Sequence, residues 1–328
     1  MTDNPVYRKR KARPDGYDPE RFCRLNGLLP SDGQHPLTPI EDGLPKELDI
    51  AGLPDGEWLH RGVYRMERRL PYGRRYGSGA LENPSPRASV LKPWGGHPSG
   101  VYLDLETTGL SGNAGAYAFL VGLGFCGEEA FHVVQLFLAG PAWERSWLAA
   151  LEAELPKDFG LVTYNGRTFD LPLLRTRYAL LRSLPSWNWK PHLDLLPFTR
   201  HFFRGRLESC SLSTVELRVL GLRRGEEDIP GRDIPRMYTN YLRTRNASML
   251  RGVFYHNALD IISMAVLQNR IADLAEMKGT TGEDMIRCGD LWKVKGDDAR
   301  AEAAWKLALE FAESEAAARL RLGNAKRL

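Results

Sequence analysis

The chain has 328 residues, of which 43% are hydrophobic and 26% charged, with a formal net charge of +4 at pH 7. This suits a globular protein with one full-sized core and a smaller second one, and the spacing of its four cysteines (Cys23, Cys126, Cys210 and Cys288) excludes a disulfide framework and a zinc knuckle. The apolar runs are too short to span a bilayer, so we expect a cytoplasmic protein without a membrane partner.

Residues 1–98 form a segment rich in proline, glycine and arginine, without a sustained helical or strand period. This pattern predicts a mostly irregular segment that is partly packed on the core. Basic clusters such as RKRKAR from Arg8 suit either a polyanionic partner or an ordinary solvated surface. The stretch EWLHRGVYRMERRLPYGRRYGSG from Glu57 alternates apolar and basic residues, which predicts a hairpin packed on the main domain.

From residue 99 to residue 275 the pattern is that of an α/β domain. Three strands in quick succession predict an antiparallel meander, and helices and strands then alternate. The predicted strands are VYLDLE from Val101, AYAFLVGLGF from Ala116, AFHVVQLFL from Ala130, LVTY from Leu161 and HLDLL from His192. We therefore expect a mixed sheet flanked by helices.

Three short stretches carry acidic residues in suggestive positions. In LDLETTGL, Asp104 and Glu106 lie two residues apart on one strand face, where a divalent cation would offset their mutual repulsion. In YNGRTFD, Asp170 begins a helix, where an acid is often only a partner of the helix dipole. In YHNALD, Asp260 is on a helix whose Leu259, Ile262, Ala265 and Val266 are expected to form the packing face; by itself it suits a solvated position.

The three motifs, in this order, resemble the DEDD superfamily of 3′-to-5′ exonucleases, which have a ribonuclease H-like fold. The resemblance implies that Asp104, Glu106, Asp170 and Asp260 hold two divalent cations, Mg²⁺ or Mn²⁺. One cation would activate water and the other would stabilise the leaving 3′ oxygen during hydrolysis of single-stranded DNA or RNA. The candidate substrate-binding residues in these motifs are Thr107, Thr108, Gly109, Leu110, Asn165 and Phe169.

The longer context, including HLDLLPFTRHFFRGRLESCSLSTVE and IPGRDIPRMYTNYL, resembles the YprB-type branch of ribonuclease H-like proteins. Two alternatives to an exonuclease stay open. One is a nucleic-acid-binding or adaptor protein with little turnover, and the other is a structure-specific endonuclease.

The residue that orients the attacking water is a separate question. The histidine subclass of this superfamily has its base five residues before the last aspartate, where Tyr255 stands, and the tyrosine subclass has it four before, where His256 stands. On a helix, a residue four before Asp260 is about 40° round the axis from it, whereas one five before is about 140° away. We therefore predict His256 as the base, with Tyr255 pointing elsewhere and packing against the core.

Two further features leave alternatives open. Asp194 ends a predicted strand and is expected to support the site structurally rather than to bind a cation. Between Pro197 and Arg224, arginines alternate with Phe198, Phe202 and Phe203, which suits either stacking on a single strand or the two faces of an amphipathic helix.

Residues 280–328 predict a small all-α C-terminal tail. Its small and aromatic residues resemble a tetratricopeptide repeat; they are Gly289, Trp292, Gly296, Ala301, Trp305 and Ala308. One and a half repeats cannot bury a core alone. The tail is therefore expected either to pack on the catalytic domain or to dock a protein partner.

Overall fold

The computed structural model describes residues 37–39, 46–109, 115–187 and 190–325. The strands are β1 (Glu57–His60), β2 (Val63–Pro71), β3 (Arg75–Tyr76), β4 (Gly79–Ala80), β5 (Gly100–Thr107), β6 (Ala118–Cys126), β7 (Ala130–Leu138), β8 (Gly160–Thr163) and β9 (His192–Asp194). The α-helices are α1 (Ser85–Ala88), α2 (Glu144–Glu154), α3 (Asp170–Leu180), α4 (Leu195–Phe203), α5 (Leu212–Arg218), α6 (Ile234–Thr244), α7 (Arg251–Ala275), α8 (Gly282–Val294), α9 (Asp298–Ala308) and α10 (Glu315–Ala325).

The described strands build a seven-stranded mixed sheet in the order β1-β2-β7-β6-β5-β8-β9. The pairs β1-β2, β2-β7, β7-β6 and β6-β5 are antiparallel, and β5, β6 and β7 form the predicted meander. The pairs β5-β8 and β8-β9 are parallel. Because parallel strands end at the same edge of a sheet, the carboxyl ends of β5, β8 and β9 lie together. In sheets of this kind that edge is the usual place for a ligand.

The N-terminal hairpin is part of the sheet. β2 pairs with β7 along its whole length, from Val63 opposite Leu138 to Pro71 opposite Ala130. The backbone of β2 thereby satisfies the hydrogen-bonding groups on the edge of β7 that does not face β6. The predicted domain boundary at residue 99 therefore falls between strands of one continuous sheet.

Helix α7 crosses the sheet and is buried on nearly every side. Ile262 and Val266, expected on its packing face, are only half-buried, whereas Ile261 and Met264 are fully buried. Leu259 and Ala265 of the same expected face are buried, and Ile262 and Val266 pack against the core, so the expected face does pack; it is not the only one, because α7 is covered on two sides. Its Gln268 accepts a hydrogen bond from the Tyr102 hydroxyl of β5 at 2.9 Å on the sheet side and donates to a backbone carbonyl before α1 on the other.

Two glycines of β6 allow α7 to lie close to the sheet. A Cβ atom at Gly122 would stand 2.3 Å from Asn257 Oδ1, and one at Gly124 would stand 2.7 Å from Ile261 Cγ2. Side chains at these positions would push α7 outward. The helix that carries Asp260 therefore depends on these glycines for its depth against the sheet.

We expect Gly122→Ala to lower the free energy of unfolding by about 1–3 kcal/mol, the usual cost of overpacking a dense interior. Urea unfolding of the variant would measure this. Gly79→Ala is the matched control, because a Cβ at Gly79 meets nothing within 4 Å. Equal stability of the two variants would contradict the prediction.

The C-terminal helices α8, α9 and α10 pack on one another and on the α/β domain. Trp292 donates a hydrogen bond from Nε1 to the Ala275 carbonyl at the end of α7 (2.8 Å), and its ring meets Trp94 edge to face. The tail thus shares a buried interface with the domain. No helix in the described ranges has the length and apolar character needed to cross a membrane.

Candidate active site

Three elements bring the four predicted acids to one end of the sheet. Asp104 and Glu106 are on β5, Asp170 is the first residue of α3 and Asp260 is on α7. The loop from β8 to α3 returns Asp170 to β5, where its Oδ1 accepts a hydrogen bond from the Leu105 backbone N–H at 3.1 Å.

Asp104 is tied to α7 by an amide. Asn257 donates from Nδ2 to Asp104 Oδ2 at 2.9 Å. The orientation of this amide is set from behind, because Gln135 donates to Asn257 Oδ1, also at 2.9 Å. These two hydrogen bonds therefore direct the Asn257 amide N–H toward Asp104, a candidate catalytic residue. Neither Gln135 nor Asn257 was predicted from the sequence.

Burial and the negative charges of neighbouring acids raise the pKa values of Asp104, Glu106 and Asp170. Burial raises the pKa of Asp104 well above its usual range, and the negative charges of Asp260, Glu106 and Asp170 raise it further. Burial and the charges of Asp260 and Asp170 likewise raise the pKa of Glu106. Burial raises the pKa of Asp170 to about 7, although the Leu105 N–H bond opposes this shift. The cluster therefore holds more negative charge than the surrounding protein neutralises.

The donor chemistry fits a hard divalent cation, which prefers carboxylate oxygens. The four acids offer only such oxygens, and a cation would offset the negative charge that helps to raise the pKa values of Asp104, Glu106 and Asp170. Within the described ranges, no three His, Cys, Asp or Glu side chains already form a ligand cluster. The fit therefore rests on the chemistry and charge of the acids.

His256 lies beside Asp260, as the four-residue spacing predicts. Its Nε2 is 3.7 Å from Asp260 Oδ2, while its Nδ1 is 2.8 Å from Asp228 Oδ1. The same Nδ1 is also 3.0 Å from Arg224 Nη1, which can only donate, so this ring nitrogen faces both an acceptor and a donor. The other ring nitrogen, Nε2, is directed toward Asp260.

Tyr255 points to a different surface. It is half-buried and lines a groove of about 600 Å³ together with Arg68, Glu227 and Arg251. Its side chain therefore packs at the surface rather than in the core. Tyr255 and His256 occupy different environments although they are neighbours in the chain.

The predicted substrate-binding residues divide into two groups. Thr107 and Thr108 stabilise the turn after β5: Thr107 Oγ1 donates to the Gly109 carbonyl at 2.8 Å, and the Thr108 N–H donates to the Tyr117 carbonyl at 3.0 Å. Leu110 lies outside the described residues. The second group consists of Asn165 and Phe169, which lie between β8 and α3.

Asn165 and Phe169 flank the turn that leads to Asp170. Asn165 has the left-handed φ of 66°, and its backbone N–H donates to Asp194 Oδ1 at 2.8 Å. Asp194 also accepts from Arg167 N and caps α4 through Leu196 N, so its role is structural. The Phe169 ring is 43% exposed and stands directly before Asp170.

The segment between residues 197 and 224 contains most of the amphipathic helix α4, the short helix α5 and the connections between and after them. Phe198, Phe202 and Phe203 are buried in the core, so stacking of bases on these rings is excluded. Arg200 of α4 and Arg204, directly after the end of α4, are exposed to solvent. They line a polar cavity of about 1040 Å³ that Asn165 also borders.

Three charged residues lie around Asp260. Glu216 and Asp228 were not predicted as site residues, and Arg224 was predicted only as one of the arginines that could follow a substrate strand. Arg224 donates to Asp260 Oδ1 and to the carboxylate of Glu216, and Asp228 holds His256. Arg224 and Asp228 belong to an irregular connection, so helical or strand periodicity gives no signal for them. Only the fold brings them to α7.

Comparison with known proteins agrees with this architecture. Residues 101–272 match the model of the ribonuclease H superfamily, and the chain belongs to that superfamily. Membership suggests a nuclease that acts on nucleic acid, and nucleases of this fold usually use divalent metal ions. Over 167 residues the chain is 37% identical to the uncharacterized protein YprB of Bacillus subtilis (strain 168), an alignment covering 51% of this chain and 40% of YprB.

Proposed function

We propose that this chain is a DEDD-type 3′-to-5′ exonuclease that hydrolyses single-stranded DNA or RNA with two divalent cations, Mg²⁺ or Mn²⁺. The observation that carries the proposal is the convergence of Asp104, Glu106, Asp170 and Asp260: burial, together with the charge of Asp260, raises the pKa values of the other three acids. A pure binding module has no need for such a cluster, because uncompensated buried carboxylates are costly.

Different side chains would bind the cations, accept the proton and contact the substrate. The four carboxylates would hold the cations, which activate water and stabilise the leaving oxygen when bound. His256 Nε2 would accept a proton from the attacking water, while Asp228 holds the imidazole through Nδ1. The exposed Phe169 ring would stack against a terminal base.

The test is degradation of end-labelled single-stranded DNA and RNA with MgCl₂ or MnCl₂. Stepwise shortening from the 3′ end supports the proposal, and a 5′-blocked substrate should be degraded equally well. Circular single-stranded DNA separates the modes, since only an endonuclease cuts it. Tight binding by folded protein without cation-dependent cleavage would favour the adaptor alternative.

The adaptor alternative draws on the C-terminal tail, where Val294 and Leu320 are 82% and 63% exposed. A tetratricopeptide-like docking role for α8 to α10 belongs to the same proposal. A variant with charged residues at Val294 and Leu320 tests this role. If it cleaves nucleic acid at the wild-type rate, docking through the tail is separate from catalysis.

Arg200 and Arg204 are expected to bind phosphates of the substrate strand, because their cavity adjoins the turn that carries Asn165. Replacing both with alanine should reduce the slope of log affinity against log salt by about 1.4, the value for two lost contacts on a single strand. Fluorescence anisotropy with a labelled oligonucleotide at several salt concentrations would measure it.

The matched control is Arg236→Ala with Arg243→Ala, which removes two exposed arginines from α6. This variant should keep the wild-type slope. Equal slopes for the two double variants would contradict a strand path along α4.

A further inference from the structure

A buried arginine stands among the acids of the site. Arg224 donates from Nε to Glu216 Oε2 at 2.6 Å and from Nη2 to Glu216 Oε1 at 2.7 Å. The same Nη2 reaches Asp260 Oδ1. The Arg224 and Glu216 side chains are only 11% and 1% exposed, so this pair is almost fully removed from water.

Glu216 is held firmly enough to anchor the arginine. Ser263 of α7 donates to Glu216 Oε1, and the Ser263 hydroxyl is 2.7 Å from the Tyr76 hydroxyl of β3. A two-bond fork between a guanidinium and a carboxylate is a rigid arrangement. The charge on Arg224 therefore keeps its place beside Asp260.

We propose that Arg224 is the internal counter-cation of the acid cluster and that it competes with divalent cations for the carboxylate of Asp260. In this role it is a positioning residue that sets cation affinity. The inference rests on the proposed function, because it concerns the same four acids.

The charge balance supports competition. Arg224 opposes the shift that Asp260 and Asp170 impose on Glu106, so its field reaches beyond the atom that it contacts. A guanidinium and a divalent cation attract the same carboxylate and repel each other. Removing the guanidinium should therefore weaken the protein without cation and strengthen cation binding.

A purely structural arginine would behave differently. Its loss would misplace Asp260, so cation affinity would fall together with stability. The direction of the change in affinity therefore separates the two roles.

The experiment is calorimetric titration of full-length protein with MnCl₂ alone, combined with thermal unfolding in EDTA and in MnCl₂. Arg224→Gln is expected to bind Mn²⁺ about tenfold more tightly than wild type, the order of effect of removing one like charge. Its Tm should be lower in EDTA, and the rise in Tm with MnCl₂ should be larger than in wild type.

A matched pair elsewhere provides the control. Arg177 donates to both oxygens of Glu144, at 2.6 Å each, and these side chains are 15% and 7% exposed. Arg177→Gln should reduce stability and leave Mn²⁺ affinity unchanged.

If Arg224→Gln does not fold, the double variant Glu216→Gln with Arg224→Gln removes both charges of the buried fork, so that Glu216 is not left as an unpaired carboxylate. This double variant should still bind Mn²⁺ several-fold more tightly than wild type. Its matched control, Glu144→Gln with Arg177→Gln, should bind Mn²⁺ as tightly as wild type does. Unchanged or weaker affinity would overturn the role of Arg224 and leave the proposed function standing. Absence of Mn²⁺ binding by wild type would instead contradict the proposed function itself, and the inference with it.

Discussion

Asp104→Asn is expected to abolish cation-dependent cleavage, with a loss of about 10³-fold or more in kcat. The substitution keeps the shape of the side chain and removes the charge that would hold a cation, and a loss of several kcal/mol in transition-state stabilisation corresponds to this factor. Single-turnover degradation of an end-labelled oligonucleotide would measure it. Activity within tenfold of wild type would contradict the assignment of Asp104.

The same substitution should stabilise the protein when cations are chelated. Because the pKa of Asp104 is raised on folding, its charged form costs stability at a pH above the unfolded value, and asparagine removes that cost. Asp170→Asn is the parallel case, with a folded pKa of about 7. Its gain in Tm in EDTA should be largest at pH 8 and should shrink as the pH falls from 7 toward 4.

Loss of activity together with a higher Tm separates a functional acid from a structural one. Asp194→Asn is the control, because Asp194 accepts backbone hydrogen bonds from Asn165 and Leu196. This variant should lose stability at pH 8. A gain in Tm for Asp194→Asn equal to that of Asp104→Asn would contradict the distinction.

His256→Gln is expected to reduce kcat by about 10²- to 10⁴-fold, the usual contribution of a general base. Its Mn²⁺ affinity should stay close to that of wild type, because the four carboxylates are intact. Asp228→Asn should produce a smaller loss, since an amide in place of Asp228 can favour the wrong imidazole tautomer.

Tyr255→Phe is the control for the alternative base. The Tyr255 side chain lines a groove with Arg68 and Glu227, away from His256, so removal of its hydroxyl should change kcat less than twofold. A large loss in Tyr255→Phe with little change in His256→Gln would reverse the assignment. Equal losses would show that neither residue acts as the specific base.

Short-range patterns in the chain were sufficient for much of the fold. Three short apolar strands in quick succession after Val101 predicted the meander, and the turn at Asn165 placed Asp170 at the start of a helix. These features depend on residues that are close in sequence, so periodicity and turn chemistry report them directly. The mixed sheet follows from the same order of elements, and the ribonuclease H-like fold was implied by the resemblance of the three acidic motifs.

Contacts between distant segments needed the tertiary structure. The pairing of β2 with β7 and the burial of α7 on two sides depend on which surfaces meet, and amphipathic periodicity describes only one face at a time. Arg224, Glu216 and Asp228 converge on α7 from a short helix and an irregular connection. The acids could thus be chosen from local motifs, whereas their counter-cation and the orientation of His256 were decided by long-range packing, which brings together charges that no local pattern relates.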